Sequence, residues 1–326
     1  MITHMKKVLI FGASGFVGAY LIRELLRSGY QVAAADLQRS EGLPEGTAFY
    51  QVDLTDQSAV YHLMKDILPD AVINLAAISS VGQSWKLPGL TMQVNVTGAI
   101  HILEAARQLK EEDSAYYGEI PGPKVMFIGS SEEYEASDSP IDENCPRNAN
   151  NPYGISKMTQ ERYAELYRER YGLRICYVHP FNHTGIGQKD SFVLPSFCKQ
   201  AAEMDVSGKP GILKVGNLKA KRDFSDVRDI VRAYRMILEA PDICPAYNVG
   251  SGKAYSLEEL LRYIISLAEV DILIQIDPER VRPIDTPVVC CDHGRITREL
   301  GWKPEIDIHD TLKEMFNDFR ERKLRE

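Results

Sequence analysis

The stretch Lys7-Val-Leu-Ile-Phe-Gly-Ala-Ser-Gly-Phe-Val-Gly18 decides the fold of this 326-residue chain. Its apolar beginning, residues 7–11, predicts a short buried strand, and residues 19–27 predict a helix. Between them the spacing Gly-x-x-Gly-x-x-Gly allows a tight turn, whose backbone can approach a diphosphate at the free N–H groups of the helix start. Strand, turn and helix in this order favour a dinucleotide site over a glycine turn used only for packing. The predicted contacts are Gly12, Gly15, Phe16, Val17 and Gly18.

Further apolar runs continue the alternation of strands and helices. Strands are predicted at residues 31–35, 48–52, 71–75, 124–128 and 174–178, and a helix at 94–109. This alternation implies parallel pairing through right-handed crossovers. The predicted fold class is α/β: a Rossmann-type doubly wound parallel sheet with a smaller α/β substrate-binding lobe. In such a sheet, ligands bind at the carboxyl ends of the strands.

The choice of nucleotide cofactor depends on Asp36, at the end of the second predicted strand. An acidic residue there binds the ribose hydroxyls and repels a 2′-phosphate, so it favours NAD(H). Arg39 keeps NADP(H) open, because an arginine can pair with that phosphate. The other predicted cofactor contacts follow the second, third and fourth strands and are Leu37, Asp53, Leu54, Leu75, Ala76 and Ala77.

Composition and charge restrict the class of protein. Hydrophobic residues make up 44% of the chain and charged residues 26%, as in ordinary soluble globular proteins. A formal net charge of -8 argues against nucleic acid as a partner, and no apolar run reaches the ~18 residues of a membrane span. The six cysteines show no Cys-x-x-Cys spacing and the N-terminus shows no signal peptide, so we expect a cytoplasmic protein. No metal is predicted, because no cluster has metal-ligand spacing.

A tyrosine and a lysine four residues apart, Tyr153 and Lys157, are the candidate acid/base pair. On a helix their side chains share one face, and a nearby ammonium favours the phenolate, which lowers the pKa of the tyrosine. Asn151-Pro152 is a plausible start for that helix. Such a pair can also lie on the exposed face of a helix without any catalytic function. Ser130, directly after the fifth predicted strand, would supply the hydroxyl partner of a reacting oxygen.

The chain resembles the extended short-chain dehydrogenase/reductase family over almost its entire length. The residues that carry this resemblance are Ser130, Tyr153 and Lys157, downstream of the glycine stretch. The resemblance implies that the serine hydrogen-bonds the reacting oxygen and that the tyrosine exchanges its proton. The lysine would hold the cofactor ribose, so Tyr153 and Lys157 are also expected cofactor contacts. Elementary chemistry supports these roles, because hydride transfer at a carbonyl carbon requires one proton to move at the carbonyl oxygen.

The second half resembles the nucleotide-sugar branch of that family. The motifs that carry this resemblance are Pro180-Phe-Asn-His183, Arg222-Asp-Phe224 and Val281-Arg-Pro283. The branch uses two arginines for the diphosphate of a sugar nucleotide, and the planar guanidinium suits phosphate oxygens. The resemblance implies a sugar nucleotide, GDP-linked, as the partner. Its predicted contacts are Ser130, Asn182, Val193, Asn217, Arg222 and Arg282.

Within the branch, Gly129-Ser-Ser-Glu-Glu-Tyr134 is most similar to reductases and dehydratases of GDP-linked mannose derivatives. Glu132 stands where the dehydratases have an acid/base glutamate, whereas Phe224 stands where they usually have tryptophan. The resemblance implies NAD(P)H-dependent reduction of the 4-keto group of a GDP-4-keto-6-deoxy-mannose-type sugar, with a GDP-rhamnose-type product. The alternatives are 4,6-dehydration of GDP-mannose with Glu132 as a catalytic group, epimerisation of a nucleotide sugar, and a non-enzymatic nucleotide sensor.

Two lobes and a homodimer are expected. Residues 1–184 with about 225–270 would form the nucleotide-binding domain, and residues 185–224 with 271–326 the substrate-binding lobe. The sugar would lie in the cleft between them. The family resemblance suggests a dimer through residues 94–109 and 153–171.

Overall fold

The computed structural model describes residues 7–118, 122–137, 139–241, 244–278 and 286–326. In chain order the strands are β1 (Lys7–Phe11), β2 (Gln31–Asp36), β3 (Ala48–Gln51), β4 (Ala71–Asn74), β5 (Lys124–Ile128), β6 (Ile175–Pro180), β7 (Asn182–Thr184), β8 (Gly211–Val215), β9 (Lys221–Asp226), β10 (Ala246–Val249), β11 (Ala254–Ser256), β12 (Ile272–Ile276) and β13 (Val288–Val289).

The helices alternate with these strands. They are α1 (Phe16–Arg27), α2 (Gln57–Ile67), α3 (Val81–Lys86), α4 (Pro88–Met92), α5 (Gly98–Glu112), α6 (Ser114–Tyr117), α7 (Pro152–Tyr171), α8 (Val193–Ser207), α9 (Val227–Glu239), α10 (Leu257–Ile265), α11 (Gly294–Leu300) and α12 (Ile308–Arg325). A π-helical turn (Gln93–Thr97) precedes α5, and a 3-10 turn (Ser131–Glu133) follows β5.

Seven of the described strands form one parallel sheet in the order β10-β6-β5-β4-β1-β2-β3. The order runs outward in both directions from β1 and β4. Loops leaving these two strands turn to opposite faces, which opens a crevice at their carboxyl ends. The predicted Rossmann-type doubly wound sheet is confirmed.

Both faces of this sheet are covered, which explains the uninterrupted apolar sequence of β1. Val8 and Ile10 face a core shared with α1 and α9, whereas Leu9 and Phe11 face a core shared with α2, α5 and α7. All four side chains are at most 1% exposed. The sheet is therefore a rigid platform for the loops at its carboxyl edge. No helix among the described residues is long and apolar enough to cross a bilayer.

Besides the cores on the two faces of the sheet, a separate hydrophobic cluster, here named the second core, lies in the C-terminal half of the chain. It joins α8, α10 and α12 to the paired strands β8 and β12. Two segments pack differently from the prediction. Residues 256–268 were expected in the large domain, but Leu260, Leu261 and Ile264 of α10 face this second core. Trp302 was expected in the small lobe, but its indole packs in the α1/α9 core and donates to the Asp229 carbonyl at 3.1 Å.

Candidate active site

The glycine loop after β1 is held against the loop after β4. Gly12 has φ +74°, and a Cβ there would lie 2.4 Å from the Ala76 nitrogen. A Cβ on Gly18 would lie 2.2 Å from the Ala13 oxygen. Gly15 differs, since its added Cβ would meet only the Gly12 oxygen, at 3.3 Å. Gly12 and Gly18 are thus required for packing, whereas Gly15 leaves room for a ligand beside the backbone.

The N-terminus of α1 fits the diphosphate of a dinucleotide. The helix begins at Phe16, earlier than the predicted residue 19, because Gly15 already has the extended conformation of an N-cap. No side chain caps this end and its first turn holds no acidic residue. The amides of Phe16 and Val17 therefore belong to a helix end with positive partial charge and without a competing carboxylate.

Asp36 ends β2 beside the glycine loop. Its carboxylate accepts hydrogen bonds from the Ser14 amide at 2.9 Å and from the Leu37 amide at 2.7 Å. The Arg39 guanidinium lies 5.9 Å from the centre of the Phe49 ring. The structure thus places the Asp36 carboxylate against the glycine loop, and its contact with a ribose stays a prediction.

The other predicted cofactor contacts follow β3 and β4. Asp53 accepts from the amide and hydroxyl of Thr55, both at 2.8 Å, and Leu54 is buried against α5. The Leu75 amide donates to the Phe11 carbonyl at 2.9 Å, which ties this loop to the end of β1. Ala76 and Ala77 continue the same loop, and Ala76 is the residue that contacts Gly12.

Ser130 and Tyr153 are brought together by β5 and α7. Ser130 is the N-cap of the 3-10 turn, and its hydroxyl accepts from the Glu132 amide at 3.1 Å. The Ser130 side chain lies beside the Tyr153 phenol and favours its ionised form. Tyr153 is only 8% exposed, and α7 begins just before it with Asn151 as N-cap, as expected. A carbonyl oxygen bound beside these hydroxyls would have two hydrogen-bond donors.

Lys157 lies on the same face of α7, one turn after Tyr153. Its Nζ donates to the Ile128 carbonyl at 2.6 Å and to Gln160 Oε1 at 3.4 Å. Burial lowers the pKa of Lys157 to about 8, against the opposing charge of Glu133. The amine is thus poised to change its charge near neutral pH.

The sequence predicts that Lys157 lowers the pKa of Tyr153, and this prediction is wrong for the protein without a bound ligand. Burial raises the pKa of Tyr153, and the charges of Glu133 and Glu132 add to this, while the Ser130 side chain opposes it. Lys157 instead directs its Nζ to the end of β5. Tyr153 is therefore held as a protonated phenol, which is the form of a proton donor.

A network of polar side chains that no sequence motif predicts holds α7 in place. Asn95, in the π-helical turn, donates to the Ser156 hydroxyl at 2.9 Å and accepts from the Ile78 amide at 2.8 Å. Gln160 donates to the Asn95 carbonyl at 2.8 Å, and the Tyr153 amide donates to the Ser84 hydroxyl at 3.2 Å. Single polar residues inside helical segments carry no spacing signal, so these contacts could not be predicted.

A cavity of about 290 Å³ lies next to the candidate acid/base residues: Ser131 and Asn151 line it, whereas Ser130, Tyr153 and Lys157 do not. Three predicted residues line it: Glu132, Asn182 and Arg222. The Glu132 carboxylate is held by the Asn151 side-chain amide, which donates to it at 2.9 Å. The other lining residues come from α3, from the loop between β5 and α7, and from the chain before β13; they include Trp85, Tyr134, Glu135, Asn148, Asn150 and Thr286.

Two predicted substrate contacts lie elsewhere. Val193 begins α8 and packs against the second core, and Asn217 accepts from the Lys219 amide at 3.0 Å. Neither lines the 290 Å³ cavity as described. Arg282 lies outside the described residues. The remaining arginine, Arg222, donates to the Thr286 carbonyl at 2.6 Å.

The two aspartates that follow Arg222 in the chain, Asp223 and Asp226, have partners of their own. Asp223 accepts from the amides of Ser251 and Gly252, at 2.7 and 2.8 Å. Asp226 pairs with Arg228 at 2.8 Å. Arg222 itself lines the wall of the cavity and also donates to the Lys221 carbonyl at 2.9 Å.

A doubly wound sheet with a glycine loop, a strand-end serine and a Tyr-x-x-x-Lys pair defines an extended short-chain dehydrogenase/reductase. The chain matches the family model described as GDP-mannose 4,6 dehydratase over residues 9–315. It is 32% identical to GDP-6-deoxy-D-mannose reductase of Pseudomonas aeruginosa, over 97% of this chain and 98% of that protein. It is 28% identical to GDP-mannose 4,6-dehydratase of Vibrio cholerae, over 95% and 92%. The chain belongs to the GDP-mannose 4,6-dehydratase family.

Solved structures of similar chains agree with this family assignment. RMD from Pseudomonas aeruginosa, complexed with NADPH, is 31% identical with a TM-score of 0.82, over 97% of this chain and 99% of that one. The UDP-glucose 4-epimerase of Thermus thermophilus, in complex with NAD, is 27% identical with a TM-score of 0.82, over 96% and 99%. The predicted resemblance to the nucleotide-sugar branch is confirmed, and so is the prediction of an enzyme with a nicotinamide cofactor.

Proposed function

We propose that the protein reduces the 4-keto group of a GDP-4-keto-6-deoxy-mannose-type sugar, using NAD(P)H, to a GDP-rhamnose-type product. The observation that carries this proposal is the placement of the buried Ser130 and Tyr153 side chains beside each other at the carboxyl edge of the sheet, next to a 290 Å³ cavity with Arg222 in its wall. The similarity to GDP-6-deoxy-D-mannose reductase supports the choice of substrate.

The protein's own groups would act on the carbonyl oxygen. The nicotinamide, when bound, supplies the hydride. Tyr153 donates its proton to the oxygen as negative charge develops there, and Ser130 donates a hydrogen bond to the same atom. The charged form of Lys157 would hold the ribose of the cofactor, as the family resemblance implies. Burial of all three side chains keeps competing water away from the proton transfer.

Binding of the sugar nucleotide is assigned to Asn182 and Arg222 in the cavity wall. Arg222 would pair with the diphosphate, since a guanidinium matches phosphate oxygens. Arg282, Val193 and Asn217 stay predictions as further contacts. For the cofactor we prefer NAD(H), because the Asp36 carboxylate would repel a 2′-phosphate. The NADPH complex of the similar Pseudomonas protein keeps NADP(H) as the alternative.

A 4,6-dehydratase is the second candidate, and the placement of Glu132 favours it. Its carboxylate lines the cavity and is oriented by the Asn151 amide. A glutamate so placed could assist loss of water across the C5–C6 bond of the sugar. Incubation with GDP-mannose and no added cofactor separates the candidates. A keto-sugar product would support the dehydratase and exclude a pure reductase.

We also propose a homodimer through α5 and α7. Ile155, Tyr163 and Leu166 project from α7 with exposed fractions of 47%, 37% and 42%. Clustered apolar side chains on one helix favour burial against a second copy. Sedimentation velocity of the wild type and of Leu166→Glu tests this proposal, and a monomer in both would contradict it. A cytoplasmic location stays a proposal, which the six free thiols support.

A further inference from the structure

Three buried charged side chains meet beneath the catalytic serine. They come from three elements: Glu133 from the 3-10 turn, Glu161 from α7 and His179 from β6. Glu133 and His179 are 0% exposed and Glu161 is 5% exposed. His179 Nε2 lies 3.4 Å from Glu161 Oε2 and 3.7 Å from Glu133 Oε2.

Glu133 connects this group to the active site. Its Oε1 accepts from the Ser130 amide at 2.7 Å, and it completes a capping box with the Ser130 side chain. Glu133 and His179 pack closely against the backbone here, because a Cβ on Gly129 would lie 2.4 Å from Glu133 Oε1 and 3.1 Å from His179 Cδ2. The orientation of Ser130 towards Tyr153 therefore depends on where the Glu133 carboxylate is held.

Charge balance requires a cation between the two glutamates. A fully buried carboxylate is costly unless it is paired. Arg147 pairs with Glu161 at 3.1 Å. His179 Nε2 lies between the two carboxylates, with a hydrogen bond to Glu161 at 3.4 Å and an ion-pair contact to Glu133 at 3.7 Å. Burial alone would lower the pKa of His179, but Glu133 and Glu161 outweigh it and raise that pKa to about 9. Imidazolium and guanidinium together neutralise the two carboxylates.

A metal ion is the other cation that this geometry admits, because the three donor groups lie within 4.8 Å of one another. Two contacts argue against it. Arg147 already neutralises Glu161, and the Ser130 amide occupies Glu133 Oε1. A divalent ion would add two positive charges to a group that one proton on His179 balances. The proton is therefore the better fit.

We propose that Glu133 and His179 are positioning residues of the reaction: the His179 imidazolium holds the Glu133 carboxylate in place, and Glu133 fixes the Ser130 hydroxyl opposite Tyr153. This inference rests on the proposed function. Neither residue touches the reacting oxygen, and both act through Ser130. Glu133 also acts by charge on the two acid/base groups, since it opposes ionisation of Tyr153 and favours the charged form of Lys157.

Other titratable groups also face the pair, and any change in pH dependence must be judged against them. They are Tyr153, Lys157 and Glu161 of α7, Tyr177 of β6, and Glu132, Tyr134 and Arg147 from the segment between β5 and α7. Loss of the Glu133 charge lowers the pKa of Tyr153 and of Lys157 together. Both effects move the alkaline limb of kcat to lower pH.

Substitutions of Glu133 separate its two actions. Glu133→Gln keeps an oxygen acceptor for the Ser130 amide but removes the charge, whereas Glu133→Ala removes both. The matched control is Glu169→Gln, at an exposed position on α7. We expect kcat to fall about tenfold in Glu133→Gln and about a hundredfold in Glu133→Ala, with KM and cofactor affinity within about twofold of wild type.

The pH profile distinguishes positioning from mere structural support. We expect the alkaline limb of Glu133→Gln to move to lower pH, while Glu169→Gln matches the wild type. A structural role would lower the melting temperature and the active fraction of the Glu133 variants. It would leave kcat per active site and the pH profile unchanged, and that result would overturn the proposal.

Histidine NMR tests the pair without turnover. In ¹⁵N-histidine-labelled protein at about pH 7.5, below the His179 pKa of about 9, one buried imidazolium is expected. The imidazolium signal should be absent from the spectrum of His179→Gln. In Glu133→Gln the same histidine should lose its proton, and this change assigns the signal to His179 even if His179→Gln does not fold. A neutral His179 in the wild type, or stoichiometric metal by mass spectrometry, would overturn the proposal. Inactivity of wild type towards the keto sugar would instead refute the proposed function.

Discussion

The charge of Lys157 makes the reaction depend on pH in a defined way. Burial lowers the pKa of Lys157 to about 8, and its Nζ is held by the Ile128 carbonyl at 2.6 Å. A lysine with a lowered pKa loses its proton earlier as the pH rises. Activity that needs the ammonium is therefore present below pH 8 and lost above it. Tyr153 stays protonated over this range, because its own pKa is raised.

The magnitude follows from the titration of one group. With a pKa of about 8, half of the molecules carry a charged Lys157 at pH 8 and about one in ten at pH 9. We expect kcat to fall about tenfold between its plateau near pH 7 and pH 9. An ordinary lysine, with a pKa of about 10.4, would leave kcat unchanged over the same interval.

The assay is the initial rate of NAD(P)H oxidation at saturating keto sugar, between about pH 6 and pH 10. Lys157→Met should have a low rate without the step near pH 8. Lys209→Met, at an exposed position, is the matched control and should follow the wild type. A wild-type profile that stays flat to pH 10, or a step that persists in Lys157→Met, would refute the reasoning.

Three further predictions concern single side chains. Tyr153→Phe should lower kcat by a factor of about 10²–10⁴ with unchanged cofactor affinity, since only the proton donor is lost; near-normal turnover would contradict its role. Asp36→Ser should improve kcat/KM for NADPH relative to NADH, and an unchanged ratio would place the discrimination elsewhere. Lys124 is 1% exposed and donates to three carbonyls at the end of α9. Lys124→Met should lower the free energy of unfolding by about 2–5 kcal/mol in urea, against under about 0.5 for Lys209→Met; equal losses would contradict this anchoring.

The sequence predicted the parts of the fold that depend on neighbouring residues. The strand, glycine turn and helix at residues 7–27 are specified locally, because apolar runs and glycine spacing act within a few positions. The pair Tyr153 and Lys157 was predictable for the same reason, since i, i+4 spacing fixes their common face. Family resemblance then joined them to Ser130, and the structure places its hydroxyl against Tyr153.

Contacts between distant segments were not predictable. Helical periodicity shows that α10 has an apolar face but not which core that face joins. Glu133, Glu161 and His179 lie on three different elements and meet only in the folded protein. No sequence spacing between them predicts this contact. The pKa of Tyr153 is likewise set by burial and by Glu133, neither of which a Tyr-x-x-x-Lys pattern contains.

The most direct test of the central claim is one incubation of the purified protein with GDP-4-keto-6-deoxymannose and C4-deuterated NADH or NADPH. Absorbance at about 340 nm follows cofactor oxidation, and mass spectrometry identifies the sugar nucleotide. We predict stoichiometric oxidation of the cofactor and one deuterium on C4 of a reduced 6-deoxy sugar. Unchanged keto sugar with intact cofactor, together with conversion of GDP-mannose to a keto product without added cofactor, would contradict the proposal.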